Sequence, residues 1–126
     1  MKKLMFILFL VIFSLASYAQ QYRGTDIQGK ILTINPYYNT YVPLQYTQVD
    51  LWYWGWTGTY DQYGNQIWQW YFIAQARTDA NGFFYFYGIA PNDYTIKVNQ
   101  SKDYNIQVVW IDYNLYRYQD LGTFNY

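Results

Sequence analysis

The chain has 126 residues, 25% of them aromatic and only 13% charged, with eight basic and eight acidic side chains and no histidine or cysteine. That balance offers no basic patch for nucleic acid and no imidazole or thiol for nucleophilic or zinc chemistry. All the carboxylate side chains are aspartates; only aspartate pairs remain for acid–base work, and a non-catalytic role is expected.

Lys2 and Lys3 precede an unbroken apolar run from Leu4 to Phe13, and Ser17-Tyr18-Ala19 fits a small-x-small cleavage pattern. Met1 to Ala19 therefore reads as a secretion signal, because a membrane-spanning helix needs ~20 apolar residues. No cysteine stands at the cleavage point to carry a lipid, so soluble export is expected, to the periplasm, the cell surface or the medium. Residues 20–126 then form one domain of 107 residues, with six basic side chains against eight aspartates. Nucleic acid is not an expected partner of such an exported, slightly acidic domain. With no disulfide available, the aromatic core has to hold the fold alone.

Asp26 to Ile34 reads as a first strand, with Ile27, Gly29 and Ile31 on one face and Gly29 allowing a bulge or a close approach. Asn35-Pro36 ends it, and Pro43 argues against a central strand in the tyrosine-rich stretch Tyr37 to Tyr46. Gln48 to Trp54 alternates again, Gly55 to Asn65 reads as a polar loop, and Ile67 to Arg77 is the longest strand candidate. Trp52 to Trp70 is thus expected to form a long hairpin with a mobile tip. Asp79-Ala80-Asn81-Gly82 has turn composition, Phe83 to Tyr87 is aromatic throughout, and Gly88 to Asp93 is a second turn. Tyr94 to Val98 completes what reads as a meander. Tyr104 to Ile111 and Leu121 to Asn125 are the last strands, the final one at an edge. About seven short strands, with no helical periodicity, imply an all-β antiparallel sandwich or small barrel.

The order Ile27-x-Gly29-x-Ile31, Pro43-Leu44, Val49-x-Leu51, Thr78-Asp79-x-x-Gly82-x-Phe84-x-Phe86 and Pro91-x-x-Tyr94-x-Ile96-x-Val98 resembles the carboxypeptidase regulatory-like domain. That domain belongs to the prealbumin-like (transthyretin-like) β-sandwich group, related in shape to bacterial surface repeats and starch-binding-like modules. The resemblance covers Asp26 to Val98, extends in outline to Phe124, and implies a non-catalytic attachment or scaffold. It also implies that Phe84, Phe86, Tyr94, Ile96 and Val98 point inward with Ile31, Val49 and Leu51, leaving Phe83, Tyr85 and Tyr87 outside. Asn92 stands where the family commonly has glycine, and the aromatic hairpin is an elaboration on which the resemblance is silent.

Trp52, Trp54, Trp56, Tyr60, Asp61, Tyr63, Trp68 and Trp70 form the candidate binding group. Exposed rings stack on the apolar faces of sugars, and Asp61, Gln62, Asn65, Gln66 and Gln69 are at hand for hydroxyls. The competing reading makes these rings cross-strand pairs that stiffen the hairpin. The expected role is a structural or binding module of the bacterial cell envelope or extracellular space, with a polysaccharide or another envelope protein as partner. A carbohydrate-binding module is the alternative. Self-association through strand edges near Val49 or the C-terminus is a further expectation. Asp79-x-Asn81-Gly82 imitates part of a calcium loop but lacks the downstream glutamate, so it reads as a turn, with no metal or cofactor expected. An isopeptide bond of the surface-domain type would join Lys30 to an asparagine, with Asp50 or another aspartate as the helping acid, and is not the favoured reading.

Overall fold

The computed structural model describes residues 24–126; the expected secretion signal lies outside the described residues. Eight strands form: β1 (Thr25–Asn35), β2 (Thr40–Pro43), β3 (Gln48–Tyr60), β4 (Gln66–Arg77), β5 (Phe83–Ile89), β6 (Asn92–Val98), β7 (Lys102–Val108) and β8 (Gln119–Asn125). Four of them make one sheet in the order β4-β3-β6-β7. In the other, β1 is central, with β8 on one edge and β5 and then β2 along the opposite edge. The all-β sandwich read from the sequence is the observed architecture.

The core lies between the sheets because side chains along each strand point alternately inward and outward with a period of two. Ile27, Ile31, Phe84 and Phe86 from the first sheet meet Val49, Leu51, Tyr94, Ile96, Val98, Ile106 and Val108 from the second, all of them buried. Each fully buried aliphatic or aromatic side chain here contributes about 1.5–3 kcal/mol relative to exposure. Tyr94 is buried in the core and donates its phenol to the Ala90 carbonyl at 2.6 Å, tying the start of β6 to the residue before Pro91. Burial, with Tyr53 nearby, raises the Tyr94 pKa.

Several sequence expectations change in the folded chain. Thr78 to Val98 is not a meander within one sheet. The Asp79–Gly82 turn carries the chain from β4 in the second sheet to β5 in the first, and Ala90-Pro91 carries it back to β6. Asp79 Oδ1 accepts from the amides of Asn81 (2.8 Å) and Phe83 (3.0 Å), so this carboxylate closes a turn. Gly82 sits at φ +82°, where its carbonyl accepts from the Ile31 amide and a Cβ would meet the Ile31 oxygen at 2.5 Å. The tyrosine-rich connection contains the short strand β2, with Pro43 as its last residue and at the sheet margin. The expected loop from Gly55 shrinks to residues 61–65, because β3 continues to Tyr60. The last strand pairs with β1 in parallel, the one parallel pair among the described residues.

Phe83, Tyr85 and Tyr87 do point outward, and the connection between β7 and β8 explains most of them. Tyr118 packs on Tyr85 (5.4 Å between ring centroids) and on Tyr87 (6.2 Å), while the Lys30 ammonium lies 5.1 Å from the Phe83 ring centre. Tyr113 anchors this cover by donating to the Gly24 carbonyl and accepting from the Asp26 amide. Lys30 therefore faces out of the first sheet. Asp50 faces out of the second, where it accepts twice from Gln48 Nε2. The core thus separates Lys30 from Asp50, the aspartate named as its helping acid.

Candidate aromatic groove on the projecting hairpin

β3 and β4 pair residue for residue from Gln48/Arg77 to Leu51/Ala74; the register then shifts so that Trp52 faces Phe72. Ile73 is the extra residue, a β-bulge in β4. Strict alternation from the inward-facing Ala74 would send Phe72, Trp70 and Trp68 to the core side. The bulge turns them to the outer face, opposite Trp52, Trp54 and Trp56, as cross-strand pairs. One inserted residue thus gathers six rings on one face of the ribbon.

The rings are paired and tilted rather than coplanar. Trp54 and Trp70 lie 5.2 Å apart at 55°, Trp52 meets Phe72 at 5.4 Å and 73°, and Trp56 meets Tyr60 at 5.6 Å and 64°. Such edge-to-face pairs add about 0.5–1.5 kcal/mol beyond area burial, so they do stiffen the hairpin. They also leave much of each ring in water: Trp54 is 48% exposed and Trp70 50%. The opposite side of the ribbon is seated on the sandwich by Tyr53, which stacks on Tyr71 and leans on Tyr94.

A groove follows from strand lengths. β3 pairs with β6 only from Val49/Val98 to Trp52/Thr95, and then runs on to Tyr60 without that neighbour. The notch left beside β3 is an open groove of about 920 Å³. Tyr53, Trp54, Trp68 and Trp70 form one wall, and Asn92, Asp93, Asn105 and Gln107 from β6 and β7 line it on the other side. A smaller pocket of about 180 Å³, sharing Trp70 and Thr95, lies toward Trp52, Lys97 and Asp103. Trp52 Nε1 is buried there without a hydrogen-bond partner, and Lys97 and Asp103 stand 3.9 Å apart.

Trp54, Trp68 and Trp70 thus line the groove, Trp52 lines the adjoining pocket, and Trp56 and Tyr60 extend the ring strip toward the tip. Asp61 and Tyr63 stand apart at the tip itself. Asp61 Oδ1 accepts from the amides of Tyr63 (2.8 Å) and Asn65 (2.9 Å), closing the turn, and Tyr63 is exposed. The Asn65 amide is the main cause that lowers the Asp61 pKa; desolvation opposes it, and the Tyr63 amide and the Asn65 side chain add to the lowering. Because the folded pKa is depressed, the turn gains from the charge above the ordinary aspartate pKa and loses that gain as pH falls through the depressed value. The Tyr63 and Asn65 amide NMR signals should therefore titrate together below the usual aspartate range, while amides of the core strands stay unchanged.

The polar wall was not legible in the sequence. Asn92, Asp93, Asn105 and Gln107 sit far along the chain from the tryptophans, in segments whose local pattern signals only strand and turn. Among the described residues no cluster of three or more acidic, histidine or cysteine side chains can hold a metal ion. No family model and no curated protein matches the chain.

Proposed function

We propose that this chain is an exported, non-catalytic β-sandwich module that binds an extended glycan along the groove beside its projecting hairpin. The observation that carries the reading is the groove itself, with half-exposed indoles on one wall and amides with a single carboxylate, Asp93, on the other. Sugars present apolar C–H faces and a belt of hydroxyls, and an aromatic wall opposite amide donors and acceptors matches both. A lone carboxylate supports binding over hydrolysis, since glycosidic cleavage ordinarily uses two, about 5–9.5 Å apart. Export rests on the Met1–Ala19 pattern. The carboxypeptidase regulatory-like resemblance, with its scaffold role at the cell envelope, is consistent with the same picture and belongs to this proposal.

Titration of the protein with soluble neutral polysaccharides should shift its tryptophan fluorescence saturably, because five of its six tryptophans lie on the hairpin. No spectral change with any polysaccharide would defeat the glycan reading. Saturable binding to an envelope protein instead would move the same aromatic face to a protein partner.

A further inference from the structure

β4 is the outermost strand of its sheet, bonded to β3 on one side and, among the described residues, to no strand on the other. An unpaired strand edge is a template for another strand, and proteins usually blunt it with charge, proline or brevity. Among the other outer strands, β7 has Lys102 and Asp103, β8 has Asp120, β2 is four residues long and ends on Pro43, and β5, uncharged, is only seven residues long. β4 has no such guard from Gln66 to Gln75, a run without charge, proline or glycine that is exposed on both faces over its first five residues. Val49, where an open edge was expected, lies instead on an interior strand between β4 and β6.

The sequence of this edge selects the occupant. Ile67-Trp68-Gln69-Trp70-Tyr71-Phe72-Ile73 is nearly palindromic about Trp70. An antiparallel pair of β4 strands centred on Trp70 sets Trp68 against Phe72, Gln69 against Tyr71 and Ile67 against Ile73, each twice. A twofold interface needs this self-complementarity, in which residue i meets j and j meets i. No like charges face each other, and the bulge at Ile73 ends the regular run where the symmetric match ends.

We propose that β4 is a homodimerisation edge, pairing antiparallel with β4 of a second copy about Trp70. The two four-stranded sheets then become one sheet of eight strands, and Trp68, Trp70 and Phe72 continue into the same residues of the second copy. The two ring strips join on one face. This inference rests on the edge alone and stands or falls separately from the glycan reading.

The chain has no cysteine, so single-cysteine variants report the register. In the paired dimer the two residues at position 70 lie about 4.5–5.5 Å apart between Cα atoms, within disulfide reach. Residues at position 68, or at position 72, lie about 14 Å from their own copies by strand rise, beyond the ~7 Å limit for bridging. Sedimentation of the unsubstituted protein over a hundredfold concentration range should show mass rising from monomer to dimer. Trp70→Cys should oxidise to a covalent dimer at least tenfold faster than Trp68→Cys or Phe72→Cys. A constant monomer mass overturns the proposal, and so does equal cross-linking at the three positions.

Discussion

Replacing Phe84 with alanine should lower the unfolding free energy by about 3–5 kcal/mol, enough to consume much of the ~5–15 kcal/mol that typically separates folded from unfolded domains. Phe84 is fully buried and central to the first sheet, packing edge-on against Phe86 (5.9 Å) and near Phe124 (6.3 Å). Its ring also covers Gly29 directly across the β1–β5 pair, where a Cβ on residue 29 would fall 2.3 Å from Cζ of Phe84. The glycine is therefore shaped to the ring and has no side chain to fill the space the ring leaves. With no disulfide to restrain the chain, the loss falls wholly on the core. Urea denaturation should show a midpoint lowered at unchanged slope. A Phe84→Leu variant, which keeps most of the volume, should recover a good part of the loss.

Trp54→Ala and Trp70→Ala should have the opposite profile, weakening glycan binding strongly while leaving the fold nearly intact. Buried aromatic anchors at binding sites typically cost 2 kcal/mol or more on truncation, about thirtyfold in Kd. Each ring is about half exposed, and its main partner is the other, so removing one should cost the fold only about 1 kcal/mol, in line with a single aromatic pair. Fluorescence or calorimetric titration beside urea denaturation separates the two effects. If both variants bind as tightly as the unsubstituted protein, the groove is not the site. If both unfold readily, the rings are structural staples and the stiffening reading prevails. Trp56→Ala, farther along the strip and engaged with Tyr60 and the Thr59 carbonyl, should bind with a loss between that of these two variants and none, and serves as a gradient along the hairpin.

Strands and turns were legible to a useful degree because their signals are short-ranged. The alternation Val49-x-Leu51 and Ile96-x-Val98 marks the buried face, and Asp79 to Gly82 carries its turn chemistry in its own side chains. Errors fell where a neighbour distant in the chain decides. Gly55 to Tyr60 looks like loop from composition, yet forms strand because β4 pairs back across it as far as Gln66. The outward rings of β5 looked unexplained until the connection after β7 folded Tyr118 over them. The placement of Lys30 relative to Asp50 was open until the layers put them on opposite outer faces.

From the sequence by itself came the β class, the main strands, the turn at Asp79–Gly82, most of the core and the aromatic hairpin as the place to look for function. These follow from the period of two and from turn residues acting on their own backbone. Only the tertiary structure decided which sheet each strand joins, that β8 runs parallel to β1, and that Asn92, Asp93, Asn105 and Gln107 face the tryptophans. It also decided the side on which those tryptophans stand, through one bulged residue, Ile73. A register shift reverses every side chain beyond it, and where the shift falls depends on the pairing of two strands, which no local pattern in either strand records.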